Sequence, residues 1–284
     1  MTLPSDPPTA CRITVGTGAA ARDIAILRRS GRAPGLVWLG GFRSDMTGTK
    51  AVALDQWAAQ TGRAATRFDY SGHGASGGDF ADGTISRWLE EAVAVFERET
   101  EGDQILVGSS MGGWIALLLA LDQCRKQTAR IRGLVLIAPA PDFTEALMWA
   151  TFPEAVKAQI LERGRYEEPS AYADEPYLIT RALIEDGRNH LILGGPIETG
   201  CPVHILQGVK DPDVPWRHAV DLVTALSGDD VVLTLIKDGD HRLSRPEDIR
   251  RLLATVASLA AEIETAGIES ADMETVGTPA PPPA

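Results

Sequence analysis

What most limits the fold of this chain is a rhythm of short apolar runs separated, for the most part, by segments of helical character. The runs are Leu36 to Leu39, Ala64 to Phe68, Gln104 to Val107, Leu134 to Ile137, Val203 to Leu206 and Val231 to Ile236. Helices are expected over Gly48 to Gln60, Ser86 to Glu99, Met111 to Gln123, Pro215 to Leu226 and Arg245 to Ala266. Continuous apolar strands alternating with helices are buried on both faces, which predicts an α/β fold with a mostly parallel central sheet and helices on both sides. Met111 to Gln123 is apolar nearly all round, so it reads as a buried central helix. Upstream, β-like stretches at Arg12 to Val15 and Ile24 to Leu27 flank a Gly-rich turn and predict an antiparallel hairpin at the sheet edge.

Between residues 140 and 195 the rhythm breaks. Acidic clusters and the aromatics Trp149, Phe152, Tyr166, Tyr172 and Tyr177 occur there without an obvious strand. A structureless loop of that length is unusual inside a compact domain, so a small helical cap inserted into a domain of residues 1–266 is expected. Residues 267–284, ending in a proline cluster, read as a disordered C-terminal tail.

Composition narrows the function. The formal charge of −12 opposes broad attraction to nucleic acid or to an anionic membrane. The longest apolar run, Trp114 to Leu121, is too short to span a bilayer. Cys11, Cys124 and Cys201 have neither disulfide-framework nor metal-site spacing. With no signal-like N-terminus, a cytoplasmic protein that needs no metal or cofactor is expected.

Gly108-Ser109-Ser110-Met111-Gly112 is a Gly-x-Ser-x-Gly pentapeptide, weak by itself and strengthened by its setting. It directly follows an apolar strand and directly precedes the apolar helix, as in a nucleophile elbow. A serine on that turn projects its hydroxyl into a crevice near the positive end of a helix, and the flanking glycines let the backbone turn without a Cβ clash. Ser110 is the expected nucleophile. Its partners should follow in the order acid, then histidine, on loops after later strands. His241 alone among the five histidines lies after the last strand. Asp211 and Asp213 compete for the acid role; Asp211 is preferred because Pro212 to Pro215 then reads as the turn into the next helix.

Acyl transfer also needs N–H donors for the negative charge that develops on the carbonyl oxygen. The backbone amides of Met111, immediately after the serine, and of Phe42, in Gly40-Gly41-Phe42 after the first parallel strand, are the expected pair. Asp69 to Ser76, with His73 in it, reads as a structured turn that supports the site.

Several blocks resemble the α/β hydrolases of the abhydrolase-domain-ten group, the palmitoyl-protein thioesterases and acyl-glucuronide esterases of mammalian mitochondria. They are Gly41-Phe42 with Gly48-Thr49-Lys50-Ala51, Arg67 to Gly72, Leu106 to Trp114, Cys201-Pro202, Gly208 with Lys210-Asp211, Val214-Pro215-Trp216 and Asp240-His241-Arg242. The resemblance spans roughly residues 36 to 260 and implies an acid three residues before Val-Pro, which is Asp211, with Ser110 and His241 as nucleophile and base. Departures are Arg43 after the oxyanion phenylalanine, Pro212-Asp213 after the acid, the absence of a transit peptide, and an unmatched cap.

The expectation is therefore a serine hydrolase of carboxylic esters or thioesters, acting on a small-molecule or acyl-protein substrate, with Arg43 placed to pair with an anionic leaving group. The alternatives are an amidase or peptidase, whose amine would meet acidic pairs such as Glu167-Glu168 or Asp174-Glu175, and a non-catalytic binding protein.

Overall fold

The computed structural model describes residues 6–168, 176–228 and 230–276, with side chains up to residue 266. The chain opens with the expected hairpin, β1 (Thr9–Val15) paired antiparallel with β2 (Arg22–Arg29). The alternation then follows: β3 (Arg32–Leu39), α1 (Thr49–Thr61), β4 (Arg63–Phe68), α2 (Ile85–Glu99), β5 (Gln104–Ser109), α3 (Met111–Arg125) and β6 (Ile131–Ile137). An insertion contains α4 (Glu154–Arg163), β7 (Arg165–Glu168), β8 (Tyr177–Thr180) and α5 (Arg181–Gly187). The last elements are β9 (Val203–Gly208), α6 (Trp216–Ala225), β10 (Val231–Ile236) and α7 (Pro246–Val276).

Eight strands form one sheet in the order β1-β2-β4-β3-β5-β6-β9-β10. From β4 to β10 every pairing is parallel, and β2 joins β4 antiparallel. Successive side chains on a strand point to opposite faces, and the core divides accordingly. Val37, Leu39, Leu106, Leu134, Leu136 and Ile205 pack with α2, α3 and α6 on one face. Leu36, Trp38, Ile105, Val107, Val135 and Ile137 pack with α1 and α7 on the other. Helix α3 is buried almost throughout, Met111 to Ala120 without exception, because its partners surround it.

Two expectations are corrected. The segment 140–195 is not purely helical: β7 and β8 form a second, two-stranded antiparallel sheet with Tyr166 opposite Ile179. Its pattern is masked in the sequence because the alternate positions Arg165 and Glu167 are charged and face solvent, while Tyr166 and Ile179 pack with Phe152, Ile160 and Ile184 in a satellite core. Tyr172 and Asp174-Glu175 lie outside the described residues. Helix α7 does not stop at residue 266 but runs to Val276. No proline occurs between Pro246, at its first position, and Pro279, and its one glycine, Gly267, costs a helix only about 1 kcal/mol; residues 277–284 lie outside the described residues. Among the described residues no helix is long and apolar enough to cross a membrane, and the three cysteines are free thiols.

Candidate active site

Strand β5 ends at Ser109 and α3 begins at Met111, so Ser110 alone makes the junction, at φ 54° and ψ −119°. A non-glycine residue there stores strain on the order of 1–3 kcal/mol and must be held by its surroundings. Its N–H donates to the Ile137 carbonyl at 2.9 Å, and its own carbonyl accepts from Gly113 at 2.9 Å and Ala140 at 3.1 Å. The flanking glycines are a steric necessity. A Cβ on Gly112 would stand 2.1 Å from the Leu39 carbonyl oxygen, and one on Gly108 would stand 2.4 Å from that of Gly112. Ser109 is buried.

Two loops beyond the C-terminal ends of β9 and β10 bring the partners. Imidazole Nε2 of His241 lies 3.1 Å from Ser110 Oγ, and its Nδ1 lies 2.8 Å from Asp211 Oδ2. A carboxylate only accepts, so Nδ1 carries the proton and Nε2 offers its lone pair to the hydroxyl. Asp211 is buried and fully engaged: Oδ1 accepts from the Asp213 and Val214 amides at 2.9 and 2.8 Å, and Oδ2 also accepts from Gln207 Nε2 at 3.2 Å. The carboxylate that meets the imidazole is thus Asp211, while Asp213 is exposed. The other histidines are elsewhere; His218, for instance, is buried on α6 against the Pro141 carbonyl. Donor atoms of Asp211, Asp213 and His241 lie within 4.8 Å of one another, but a cation there would compete with the Asp211–His241 hydrogen bond.

The loop after β3 passes directly beside the serine: a Cβ on Gly41 would lie 3.4 Å from Ser110 Cβ. Among the described residues no acceptor takes the N–H of Phe42 or of Met111. The Phe42 ring is anchored edge-on to Phe80 at 4.9 Å and Trp88 at 6.0 Å. Arg43 lines the same cavity, with its guanidinium donating to the Pro176 carbonyl and lying 5.5 and 5.6 Å from the Phe80 and Tyr177 ring centres.

These parts open into a cavity of about 820 Å³. Phe143, Leu147, Met148 and Phe152 from the insertion give it an apolar wall; Lys50, Arg242 and Ser244 give a polar one. Lys50 donates to the Arg242 carbonyl and to Ser244 Oγ, tying the first turn of α1 to the His241 loop. Burial, with the Arg242 charge beside it, pushes the Lys50 ammonium down to about 8. Glu168 also faces the cavity, and burial followed by the charge of Asp213 raises its carboxyl above the ordinary range.

The model of the alpha/beta hydrolase family matches residues 21–260. The chain belongs to that family. Within it, the chain is similar to the palmitoyl-protein thioesterase ABHD10, mitochondrial, of Mus musculus, at 35% identity over 244 residues, 86% of this chain and 80% of the relative. Two solved structures agree. A protein from Agrobacterium vitis S4 is 54% identical with a TM-score of 0.87, covering 90% of this chain and all 100% of the other. Mouse alpha/beta hydrolase domain-containing protein 10 is 32% identical with a TM-score of 0.81, covering 89% and 100%.

For a hydrolase of this family, sequence reasoning missed three features of the site. The apolar wall of Leu147, Met148 and Phe152 had no periodicity to mark it. Lys50 sits 191 residues before the loop it tethers, at His241. The sequence marks no partner for His73 within its supporting turn, and the structure gives it one in the Arg43 amide, 3.1 Å away.

Proposed function

We propose that the protein hydrolyses carboxylic thioesters and esters through an acyl-enzyme on Ser110. The observation that carries this reading is the unbroken row from Asp211 through His241 to Ser110 at the floor of the cavity. Ser110 Oγ attacks the acyl carbon while His241 Nε2 takes its proton, and Asp211 steadies the imidazolium. The oxyanion is held by the amides of Phe42 and Met111 at the N-terminal end of α3, an arrangement in which each donor is commonly worth about 3 kcal/mol. Collapse expels the thiol or alcohol, which takes the proton from His241. Water then attacks the acyl-enzyme, losing its proton to His241; the acyl–Oγ bond breaks as His241 returns that proton to Ser110 Oγ, and the carboxylic acid leaves.

The apolar wall supports a hydrocarbon acyl group, and a cavity of about 820 Å³ falls within the range of sites that enclose small molecules. The mouse relative is named for palmitoyl-protein thioesterase activity, and a long acyl thioester is the substrate this reading favours. Arg43 serves here as a contact for an anionic leaving group that exchanges for the Pro176 carbonyl. Unchanged selectivity for anionic over neutral esters in Arg43→Ala would remove that role.

The test is direct. Ser110→Ala should lose hydrolysis of acyl thioesters and short esters, and a fluorophosphonate should label the wild type at Ser110 alone. Retention of most activity by Ser110→Ala, or an unlabelled Ser110 in folded protein, would end the reading. One observation favours a second reading, amide hydrolysis: Glu168 in the cavity wall beside Asp213 offers a carboxylate to a substrate ammonium. Aminoacyl amides turned over faster than matched thioesters would select it.

A further inference from the structure

Two side chains from the loop after β4 reach across to the backbone that follows Phe42. His73 is 4% exposed, its ring boxed by Tyr70, Phe80 and Trp88 at centroid separations of 5.9, 5.1 and 5.3 Å. Its Nδ1 lies 3.1 Å from the Ser71 carbonyl oxygen, and its Nε2 lies 3.1 Å from the Arg43 backbone nitrogen. A carbonyl only accepts and a backbone N–H only donates. One species satisfies both contacts, the neutral imidazole with its proton on Nδ1. Four residues upstream, Asp69 Oδ1 accepts the Met46 N–H at 2.6 Å while its Oδ2 accepts the Ala75 N–H at 2.8 Å. The loop after β3 is thereby clamped at Arg43 and again at Met46.

The clamp falls where the backbone needs one. Arg43 holds φ 56°, a left-handed conformation that a long side chain seldom adopts unless its surroundings impose it. The Phe42–Arg43 peptide is the unit whose N–H His73 holds, and it adjoins the Gly41–Phe42 peptide, at whose Gly41 a Cβ would lie 3.4 Å from Ser110 Cβ.

We propose that His73 is a positioning residue for acyl transfer, its Nε2 lone pair holding the Arg43 amide so that the Phe42 N–H stays aimed at the oxyanion. The inference rests on the serine-hydrolase reading above. His73 touches neither substrate nor the reacting atoms in this role; it removes the freedom of a loop that would otherwise have to be ordered during each turnover. Burial keeps the imidazole neutral, pushing it down to about 4, so the acceptor is present throughout the neutral range.

A ring needed only to fill its aromatic box would be replaced without loss by phenylalanine, and that comparison makes the test. His73→Phe keeps a ring between Tyr70, Phe80 and Trp88 and loses the acceptor; His73→Gln restores an acceptor near the Nε2 position. In protein whose wild type is labelled by fluorophosphonate at Ser110, His73→Phe should lower kcat about 10- to 100-fold with KM within about threefold, short of the full loss of an oxyanion donor. A tetrahedral boronic acid should bind more weakly by the same factor, the product carboxylic acid should bind as before, and His73→Gln should recover most of the lost kcat. Wild-type kcat in His73→Phe, or a loss shared equally by boronate and product and not relieved by His73→Gln, overturns the proposal. Should His73→Phe fail to fold, hydrogen exchange of the Arg43 amide in the wild type decides: protection supports the clamp and exchange at an unprotected rate refutes it. A wild type that fluorophosphonate leaves unlabelled refutes the serine-hydrolase reading instead.

Discussion

The Asp211 carboxylate is surrounded by four donors, two backbone amides on Oδ1 and the side chains of Gln207 and His241 on Oδ2. Asparagine at this position would place its carbonyl against the two amides, leaving its NH2 facing His241. The imidazole would then have to move its proton to Nε2, where it can no longer accept from Ser110. Asp211→Asn should accordingly fold and lose on the order of 10⁴ in kcat, whereas Asp213→Asn, at an exposed position outside the row, should stay within a few-fold; steady-state rates on one thioester for both variants check this. A larger loss in Asp213→Asn would reverse the assignment. At this scale the site was legible where chain order carries information: Ser110 by its strand-to-helix setting, His241 by its place after the last strand. It was illegible where contact depends on loops far apart in sequence. Nothing near His73 announces an amide 30 residues earlier, and nothing in the sequence around Asp211 and Asp213 shows that it is the Asp211 carboxyl which is turned to His241.

Among the elements, the junction of β5 with α3 is the most constrained, and the constraint is steric. The backbone of Gly112 packs against the end of β3, where a Cβ would stand 2.1 Å from one main-chain oxygen and 2.5 Å from the next. Main chain cannot swing aside as a side chain does, so Gly112→Ala must separate α3 from β3, the strand that carries the Phe42 loop. Overpacking of this kind costs about 1–3 kcal/mol, and for a domain of this size each kcal/mol lowers Tm by about 2–4 °C. A calorimetric Tm several degrees lower, with activity reduced more than stability, is the expected result; Gly194→Ala, where nothing lies within 4 Å, is the control with an unchanged Tm. The strands of the main sheet were readable because the central runs, Leu36 to Leu39, Gln104 to Val107 and Leu134 to Ile137, are buried on both faces and carry no charge, whereas towards the edges β4 admits Arg67 and β10 leaves Val232 and Leu235 exposed. The β7–β8 hairpin was not, since a small satellite core needs only Tyr166 and Ile179 turned inward and leaves the alternate positions free to be charged.

Over the whole molecule, acidification sets opposing effects against one another, and His73 supplies one that can be isolated. Its folded value is about 4, set mainly by burial, with the hydrogen bond to Ser71 raising it and the Arg43 charge lowering it; in the unfolded chain an imidazole titrates near 6.5. Between these values the unfolded state binds a proton that the folded state refuses, so stability is intact above about pH 6.5 and falls as the pH drops towards 4, by about 3 kcal/mol in all. Asp69 and Asp142 act in the other sense, because burial raises both carboxyls in the folded state and their protonation on acidification favours it. Relief of self-repulsion, as a chain of charge −12 nears its isoelectric point of about 4.9, also favours the folded state. Those contributions are common to the wild type and to His73→Phe, which removes only the imidazole. Urea unfolding of the two proteins at pH 7 and pH 4 should therefore show the wild type losing about 3 kcal/mol more than the variant across that interval, with the divergence beginning near pH 6.5. Parallel losses in the two proteins would mean that the imidazole is charged in the folded state as readily as in the unfolded one, which its hydrogen bond to the Arg43 amide forbids.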